Sequence, residues 1–352
     1  MDRLKAAVVG AGFVSVRKHI PALLGLRERV DLVALVDRDE GAVRKVAEQF
    51  GIARIYEETA EMLERERPDI VHVCTPPGTH AELAVQAAEA RCHVMIEKPM
   101  ALSTEECDRI ICTAAEAGVK TCVAHSDLFY PPVIRARGLV DEGVVGRFAG
   151  MRVFLSTPTS YMTSSEDHWA HRLPGGVISE TGPHAVYLTL AFIPSVREVR
   201  VHGSSMLDYP WSNFDDYRID LIGDSAVSSI VSVYTTDQWT ADVDIWGTGG
   251  LLRLDLETMS LVRHRRPSLA RGTVAASSLR GAFGLVGSTV RTVAAVLAGR
   301  YQDTHRMLVE RFLDCIRDDT PPPVPPEQGR EAVRVMALIA EALEGRSATQ
   351  LG

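Results

Sequence analysis

The stretch "AAVVGAGFVSVRKHIPALLG" (residues 6–25) decides how the first part of the chain is interpreted. It begins as an apolar run, turns at Gly10–Ala11–Gly12 and continues with apolar residues at helical spacing. Glycines at such a turn allow a tight backbone path and a close approach of another group to the main chain. Ser15 stands where a third glycine would let the helix pack closely on the strand, and serine is a small replacement. The pattern predicts a strand, a glycine turn and a helix.

The alternation of strand and helix continues over the first third of the chain. Apolar runs such as "VDLVALV" (30–36), "DIVHVC" (69–74) and "HVMI" (93–96) are separated by amphipathic stretches. Such strands, separated by single helices, predict a parallel sheet covered on both faces. Gly51 is expected to end one helix, and Ser103 with Glu106 forms a capping-box pattern at the start of another. We expect a doubly wound α/β domain over residues 1–124.

The remainder of the chain, residues 125–352, has the pattern of an α+β domain. Short β-rich runs such as "DDYRIDLIG" (215–223) and "AVSSIVSVYTT" (226–236) alternate apolar and polar residues. "IGDSA" (222–226) and "WGTGG" (246–250) are typical of hairpin connections, which favours a large open, mostly antiparallel sheet. Two helices are expected on either side of "TPPPVPP" (320–326), a stiff extended spacer.

Composition restricts the function classes. The chain has 352 residues, 46% of them hydrophobic, and its net charge of -8 argues against a nucleic-acid binder. No signal peptide and no apolar run of about 20 residues is found, so a cytoplasmic protein is expected. Six cysteines without a Cys-x-x-Cys pair are expected to be buried thiols in a reducing compartment.

Asp37 makes the glycine turn a candidate cofactor site. It ends the second predicted strand, 25 positions after Gly12, close to where a dinucleotide-binding domain places the acid that binds the ribose hydroxyls. A carboxylate there repels a 2′-phosphate, so NAD is favoured over NADP, although the adjacent Arg38 keeps NADP open. The alternative is a doubly wound domain that binds no dinucleotide.

Two further stretches follow strands at the same predicted edge of the sheet. "CTPPGTH" (74–80) and "IEKPM" (96–100) begin where open α/β sheets bind ligands. Lys98 would place an ammonium where negative charge develops on a substrate oxygen, and Glu97 could pair with it and tune its pKa. His80 is open to two interpretations, a cofactor contact or a capping and packing histidine. The expected cofactor contacts are Gly10, Gly12, Phe13, Val14, Asp37, Arg38, Thr75, Pro76, Pro77, His80, Glu97 and Lys98.

These residues resemble the glucose–fructose oxidoreductase/inositol dehydrogenase/rhizopine-catabolism (Gfo/Idh/MocA) oxidoreductase family. The resemblance covers nearly the whole chain and rests on "GAGFVSVRKHIPAL", "LVDRD", "TPPGTHAELA", "EKPMALSTEE" and "GGVISETGPHAVYL". It implies an N-terminal Rossmann domain and a C-terminal α/β domain whose open sheet mediates a homodimer or homotetramer. It also implies that Lys98 is the catalytic lysine and that Lys98–Pro99 is a cis peptide.

The second half of the expected chemistry lies in "PGGVISETGPHAVYLTLAF" (174–192). With a helix beginning near Thr181 and Pro183 in its first turn, Glu180 and His184 lie four residues apart, near one face. The resemblance implies that His184 is the acid/base residue and that Glu180, commonly Asp in the family, orients or charges it. Histidine suits this role because it titrates near neutral pH. The alternative is a helix-start histidine bonded to a backbone carbonyl.

Substrate groups are expected in the loop 157–176, which mixes aromatic and hydrogen-bonding side chains suited to a polyhydroxylated ring. The candidates are Tyr161, Asp167, His168, Trp169, His171 and Arg172, with His125 and Tyr130 at the domain junction. Leu128 departs from the family pattern near "AHSDLFYPP". The His168–His171 spacing lacks further ligands, so no metal is predicted.

The proposed reaction is hydride transfer between nicotinamide and a hydroxyl or keto carbon of a sugar, sugar derivative or cyclitol. His184 would take the hydroxyl proton while Lys98 stabilises the same oxygen. Two alternatives remain: a glycosidase or epimerase-like enzyme that retains NAD and oxidises its substrate transiently, and a non-catalytic NAD(H)-binding regulatory or structural protein.

One segment does not follow from the family pattern. Residues 258–302 contain no acidic residue but seven arginines: Arg263, Arg265, Arg266, Arg271, Arg280, Arg291 and Arg300. Within them, "LRGAFGLVGSTVRTVAAVLAG" (279–299) is apolar and helical in outline. It is interpreted as a helix packed on the sheet or on another subunit, or as a basic amphipathic stretch (263–300) contacting an anionic surface.

Overall fold

The computed structural model describes residues 3–298 and 303–347, which divide into two compact units. Unit 1 contains residues 3–129 and 303–334, and unit 2 contains residues 130–298 and 335–347. The first division falls a few residues beyond the expected boundary at 124/125. The return of residues 303–334 to the first unit was not predicted. Arg300 lies outside the described residues.

The helices and strands that were predicted occur in the expected order. The strands are β1 Leu4–Val9, β2 Val30–Val36, β3 Ile55–Tyr56, β4 Ile70–Val73, β5 His93–Ile96, β6 Thr121–Val123, β7 Phe148–Ser156, β8 Val196–Ser204, β9 Asp216–Gly223, β10 Val227–Val233, β11 Thr240–Gly247, β12 Gly250–Asp255 and β13 Ser260–His264. The α-helices are α1 Ile20–Leu24, α2 Glu40–Phe50, α3 Thr59–Glu66, α4 His80–Glu89, α5 Thr104–Ala117, α6 Pro131–Asp141, α7 Ile178–Leu190, α8 Arg271–Leu297, α9 Thr304–Asp318 and α10 Pro326–Ser347. A π-helical turn, Ser15–His19, precedes α1.

Unit 1 is built on a six-stranded parallel sheet of order β3-β2-β1-β4-β5-β6. The predicted doubly wound sheet is therefore confirmed, and its strands are apolar because helices cover both faces. The register aligns the carboxyl ends of its central strands: Val9 pairs with Val36 and Val73, and Val73 pairs with Ile96. Loops that follow these residues consequently leave the sheet at one edge, beside the switch in strand order between β1 and β4.

Local capping explains where the helices of unit 1 begin and end. The Ser103 hydroxyl accepts a hydrogen bond from the N–H of Glu106, as the capping-box pattern predicts. Gly51 ends α2 in the left-handed conformation with φ 70°, which an L side chain adopts only with strain. The short strand β3 and the helix α3 were not predicted.

Unit 2 contains a seven-stranded sheet of order β13-β12-β11-β7-β10-β9-β8. All neighbouring pairs are antiparallel except β7 with β10, which confirms the expected mostly antiparallel sheet. The two predicted hairpins connect β9 to β10 and β11 to β12. Helix α7 packs on β7 and β10, and α8 packs on β13.

Two local expectations were wrong. Helix α7 begins at Ile178 rather than near Thr181, because Gly175 and Gly176, at φ 82° and 73°, turn the chain into the helix earlier. Pro183 therefore lies inside the helix, where it lacks the N–H that a helical residue donates. Cys112 is exposed, whereas the other five cysteines are the buried free thiols that were expected. Among the described helices, none is long and apolar enough to cross a membrane.

Candidate functional site

The glycine turn after β1 has the backbone that a dinucleotide requires. Gly10 has φ +104°, and a Cβ added there would lie 2.7 Å from the carbonyl oxygen of Cys74. A Cβ added to Gly12 would find no heavy atom within 4 Å, so the main chain at this residue is open to close approach. The first glycine is therefore required by the fold, and the second leaves space in which a pyrophosphate fits.

Ser15 takes the place of the third glycine without disturbing this turn. Its side chain is fully buried, and its hydroxyl donates a hydrogen bond of 2.5 Å to the carbonyl oxygen of Gly10. The residue lies in the π-helical turn Ser15–His19 rather than in a regular α-helix. The serine thus connects the start of the helix to the residue after β1 by a hydrogen bond.

Asp37 is held directly beside the glycine turn. One of its carboxylate oxygens accepts a hydrogen bond from the N–H of Ala11 at 2.7 Å, and the other accepts one from the N–H of Asp39 at 2.9 Å. This fixes an acid at the end of β2 where a ribose would lie, and carboxylate oxygens can each accept further bonds. The neighbouring Arg38 is exposed, and Phe13 on the turn is 71% exposed. These residues fit NAD.

The loop after β4 is joined to the loop after β5 through His80. Its Nδ1 lies 2.8 Å from the carbonyl oxygen of Pro99, and its Nε2 lies 2.7 Å from that of Thr75. Burial lowers the pKa of His80, although these two backbone hydrogen bonds oppose the shift. The ring therefore positions both loops from within the domain. Contacts of His80, Thr75, Pro76 and Pro77 with the cofactor stay a prediction.

Lys98 follows β5 at the same edge and is half-buried, and the Lys98–Pro99 peptide is cis, as the resemblance implies. The preceding Glu97 is buried, and its Oε2 accepts a hydrogen bond of 3.0 Å from the backbone N–H of Lys98. The sequence suggested that Glu97 tunes the lysine ammonium. In the structure the Glu97 carboxylate contacts the lysine backbone and two histidines, and the tuning of the lysine ammonium by Glu97 stays a prediction.

A buried cluster of histidines surrounds Glu97. Its Oε1 lies 2.8 Å from Nε2 of His19 and 3.4 Å from Nε2 of His305, and Nδ1 of His19 lies 2.9 Å from Nδ1 of His72. These side chains come from the π-helical turn after the glycine turn, from β4, from the residue that follows β5 and from α9. The cluster was not predictable from the sequence, because four distant single residues carry no spacing signal.

Charge within this cluster is set by its burial and by its partners. Burial lowers the pKa of His19, but Cys74 and the Glu97 carboxylate outweigh it and raise the value to about 9. For His305, burial is likewise outweighed by Asp303 and Glu97, and the pKa rises to about 9. Burial would raise the pKa of Glu97, yet its two histidine partners hold it well below its usual value. Burial and the charge of His19 lower the pKa of His72.

Three residues of this cluster, His19, Glu97 and His305, form the only group among residues 3–298 and 303–347 that could hold a metal ion. The ligand atoms of His19, Glu97 and His305 lie within 4.8 Å of one another. The 2.8 Å between His19 and Glu97 is a hydrogen-bond distance, so we describe the group as a hydrogen-bonded charge cluster. The prediction that the protein holds no metal stays a prediction.

In unit 2, helix α7 carries the second group of candidate residues. Nδ1 of the half-buried His184 lies 2.7 Å from the hydroxyl of Tyr187, one turn further along the same helix. Tyr187 is buried, so this contact orients the imidazole. Glu180 was expected to orient or charge the ring, and this stays a prediction. Tyr187 was not predicted, although its place three residues after the histidine was a usable signal.

Glu180 lies within electrostatic range of the predicted substrate loop. Burial lowers the pKa of His168, and the charge of Glu180 opposes that shift. Burial also raises the pKa of Tyr234, and Glu180 raises it further. The hydroxyl of Tyr234 in turn contacts the hydroxyl of Thr181 on α7. Unit 2 thus brings the start of α7 near the loop that contains His168.

The loop itself presents aromatic rings. Tyr161 lies 5.2 Å from Trp239, and His168 is stacked on Trp169 at 5.7 Å between ring centroids. Three of these rings, Tyr161, Trp169 and Trp239, are exposed, and Trp239 was missed because it comes from the distant β10–β11 connection.

The other predicted substrate residues differ in how they are held. His171 contacts the carbonyl oxygens of Met162 and Ser165 through Nε2, which points to a role in holding the loop. Arg172 and Asp167 are exposed. His125 is buried after β6 in unit 1, and Tyr130 precedes α6 in unit 2. Substrate contact by each of these residues stays a prediction.

Comparison with known proteins identifies the family. Residues 4–125 match the model of the GFO_IDH_MocA family, described as an oxidoreductase family with an NAD-binding Rossmann fold. Residues 4–125 thus have the NAD-binding Rossmann fold of this oxidoreductase family. Among curated Gfo/Idh/MocA relatives, D-apiose dehydrogenase of Paraburkholderia graminis is 26% identical over 99% of this chain and 90% of that protein. Myo-inositol 2-dehydrogenase of Thermotoga maritima is 22% identical over 99% of this chain and 98% of that protein.

Solved structures share the fold of nearly the whole chain. An oxidoreductase domain protein from Kribbella flavida covers 98% of both chains with a TM-score of 0.81 at 21% identity. The WlbA dehydrogenase from Bordetella pertussis, crystallised with NADH and UDP-GlcNAcA, covers 97% of this chain and 96% of its own with a TM-score of 0.77 at 20% identity. These structures show the fold, and the family match of residues 4–125 makes the chain an NAD-binding oxidoreductase.

Proposed function

We propose that this oxidoreductase transfers a hydride between NAD and a CH–OH carbon of a sugar, a sugar derivative or a cyclitol. The observation that carries the proposal is the common sheet edge of unit 1. Three features follow strands whose ends are in register: the glycine turn, Asp37, whose carboxylate is hydrogen-bonded to that turn, and Lys98. Curated relatives named for apiose and myo-inositol support the polyhydroxylated substrate class.

His184 is proposed to move the proton. In the oxidation direction, the carbinol O–H bond breaks, and its proton passes to Nε2 of His184, the ring nitrogen other than the one that contacts Tyr187. The electron pair of that bond then forms the carbonyl as the C–H bond breaks. NAD, when bound, accepts the hydrogen and both electrons of the C–H bond. In the reduction direction, the same imidazole returns the proton to the oxygen.

Lys98 is proposed to stabilise the negative charge that develops on the same oxygen. Its half-buried position strengthens this effect, because fewer water molecules screen the ammonium. The hydrogen bond from its backbone N–H to the Glu97 carboxylate holds the main chain of the lysine in place. Glu180 is proposed to charge the surroundings of His184, and Tyr187 to orient its ring.

The aromatic loop of unit 2 is proposed to bind the substrate ring. The exposed faces of Tyr161, Trp169 and Trp239 offer apolar surface to the C–H groups of a sugar, and His168 offers hydrogen bonds to its hydroxyls. This mixture of groups favours a polyol over a flat apolar ligand.

The test is a screen of polyols, aldoses and cyclitols with NAD, followed by the absorbance of the reduced cofactor. With an active substrate, His184→Asn and Lys98→Met are expected to lower kcat by about 10²–10⁴-fold each while both variants still bind NADH. Exposed residues supply the matched controls His202→Asn and Lys45→Met, which should keep full activity.

Three results would contradict the proposal. Full turnover in either active-site variant would remove the role assigned to that residue. Substrate conversion without net reduction of added NAD would favour an enzyme that retains its cofactor. NADH binding without conversion of any compound in the panel would favour a regulatory protein.

We also propose that copies of the chain associate through the sheet of unit 2 in a reducing cytoplasm. The Asp244 carboxylate joins Arg152 and Arg253 across three strands, which provides a polar sheet surface able to meet a second copy. The free thiols, five of them buried, suit a reducing compartment. Light scattering of the purified protein measures the assembly: a monomer at micromolar concentration would exclude it.

A further inference from the structure

Helix α8 packs on strand β13 of unit 2 through its small residues. A Cβ added to Gly281 would lie 3.6 Å from Cγ1 of Val262 on β13, and one added to Gly284 would lie 3.7 Å from Cγ2 of the same valine. Ser277 is the only buried residue of this helix, and its hydroxyl accepts a hydrogen bond from Nε of Arg266. The face that α8 turns to the sheet is therefore built from glycine and serine.

The opposite face carries a stripe of large apolar side chains, which we call the α8 stripe. Its six residues follow one another at intervals of four and three positions and are between 51% and 84% exposed: Leu279, Phe283, Val286, Val290, Val293 and Leu297. At about 100° per residue they occupy an arc of roughly 80° on the helix surface. A surface helix ordinarily turns its apolar stripe to the core, and α8 does the reverse.

The sequence segment that contains the stripe carries arginines but no acidic residue. Residues 258–302 contain no Asp or Glu, although the whole chain carries a net charge of -8. Six of its arginines are exposed: Arg263, Arg265, Arg266, Arg271, Arg280 and Arg291. In the described part of the chain, none of them forms an ion pair with a carboxylate. At about 100° per residue, Arg280 and Arg291 lie to one side of the stripe and Arg271 lies to the other, so the stripe is flanked by charges that the protein itself does not neutralise.

We propose that α8 binds the surface of an anionic lipid bilayer, with the stripe at the boundary between head groups and acyl chains and the arginines on lipid phosphates. Its 27 residues make a helix of about 40 Å, long enough to cross a bilayer. Among the described helices, however, none qualifies as a membrane span, so α8 lies in the plane of the surface. The anionic charge of the inner leaflet of a cell membrane complements this surface.

Charge favours lipid over a second copy of this helix. Two α8 helices packed through their stripes would bring two acid-free segments together, and neither would supply a carboxylate for the arginines of the other. A lipid surface supplies both the apolar layer and the negative charge. This inference concerns binding alone and does not depend on the proposed reaction.

The experiment is flotation of the full chain with vesicles of phosphatidylcholine mixed with phosphatidylglycerol, and with vesicles of phosphatidylcholine alone. We expect binding to the anionic vesicles that weakens as salt is raised. Phe283→Ser with Val290→Ser should weaken binding at least about tenfold, because two exposed apolar side chains no longer enter the lipid. Arg280→Gln with Arg291→Gln should weaken it on the order of twentyfold.

Met206→Ser is the matched control, because Met206 is 71% exposed in unit 2 but far along the sequence from α8. It should bind vesicles as the unaltered chain does. Circular dichroism establishes that each variant is folded. Equal binding to neutral and anionic vesicles, or no binding to either, would overturn the proposal. So would a stripe variant that only converts an oligomer to a smaller species in light scattering, since that result would assign the stripe to a second copy.

Discussion

Replacement of Glu97 by glutamine tests the buried charge cluster of unit 1. The Glu97 carboxylate is 6% exposed and lies 2.8 Å from His19 and 3.4 Å from His305, both of which have a pKa of about 9. Glutamine keeps the shape but leaves the buried imidazolium of His19 and the half-buried one of His305 without this negative partner. Removing one partner of a buried ion pair costs about 3–5 kcal/mol. That is a large share of the roughly 5–15 kcal/mol that stabilises a typical domain.

The pH dependence gives a second, independent signature. A histidine whose pKa is higher in the folded than in the unfolded chain binds its proton more tightly when folded. The stabilisation from His19 and His305 is therefore complete below pH 6.5 and is lost as the pH rises through about 9. Each histidine can contribute on the order of 3 kcal/mol. His72 acts in the opposite sense: its pKa is lowered by burial, so its neutral ring costs stability as the pH falls below 6.5.

The assay is urea unfolding followed by circular dichroism at several values between pH 6.5 and pH 9. We expect the Glu97→Gln variant to be less stable at neutral pH and to lose less stability over this range than the unaltered chain. Glu48→Gln, at an exposed position on α2, is the control and should change neither quantity. A loss below about 1 kcal/mol together with an unchanged pH slope would refute the ion-pair description of the cluster.

Three further predictions concern the cofactor and the proton. Gly10→Ala should destabilise unit 1 by about 2–4 kcal/mol in urea unfolding, because its Cβ would meet a carbonyl oxygen at 2.7 Å. Gly12→Ala, with no heavy atom within 4 Å, should keep that stability but bind NADH about tenfold more weakly by calorimetry; equal effects of both variants would contradict this division. Asp37→Asn should reduce NADH affinity about tenfold and narrow the preference over NADPH, and an unchanged ratio of the two Kd values would count against the ribose role. Tyr187→Phe should lower kcat about tenfold and shift the pH–rate profile without changing the Kd for NADH, whereas a parallel loss of folding stability and NADH binding would indicate a structural role.

The parts of the fold that repeat a local pattern were predictable from the sequence. The apolar strands, the Gly51 cap and the Ser103 cap are local properties, and the structure confirms each of them. The start of α7 was placed three residues late, because Pro183 suggested a first turn and the left-handed Gly175 and Gly176 were not taken into account. The strand β3, only two residues long, has no periodicity to detect.

The candidate site also contains some residues that were predictable from the sequence and others that were not. Gly10, Asp37 and Lys98 follow strands whose order can be inferred, so their common edge was predictable. His72 and His305 join Glu97 only because tertiary packing brings four separate elements together. The outward stripe of α8 could not be predicted either, since the sequence shows an apolar face but not which way it turns.

Because residues 303–334 belong to unit 1, this unit can finish folding only late in the synthesis of the chain. At about 5–20 residues per second, residue 129 leaves the ribosome roughly ten seconds or more before His305 does. During that interval a nascent chain can pair its six parallel strands, but Lys18 lacks Asp303, Arg29 lacks Asp314, and Asp108 lacks Arg330. The cofactor-binding half of the protein is therefore completed late, when the translation of unit 2 is almost finished.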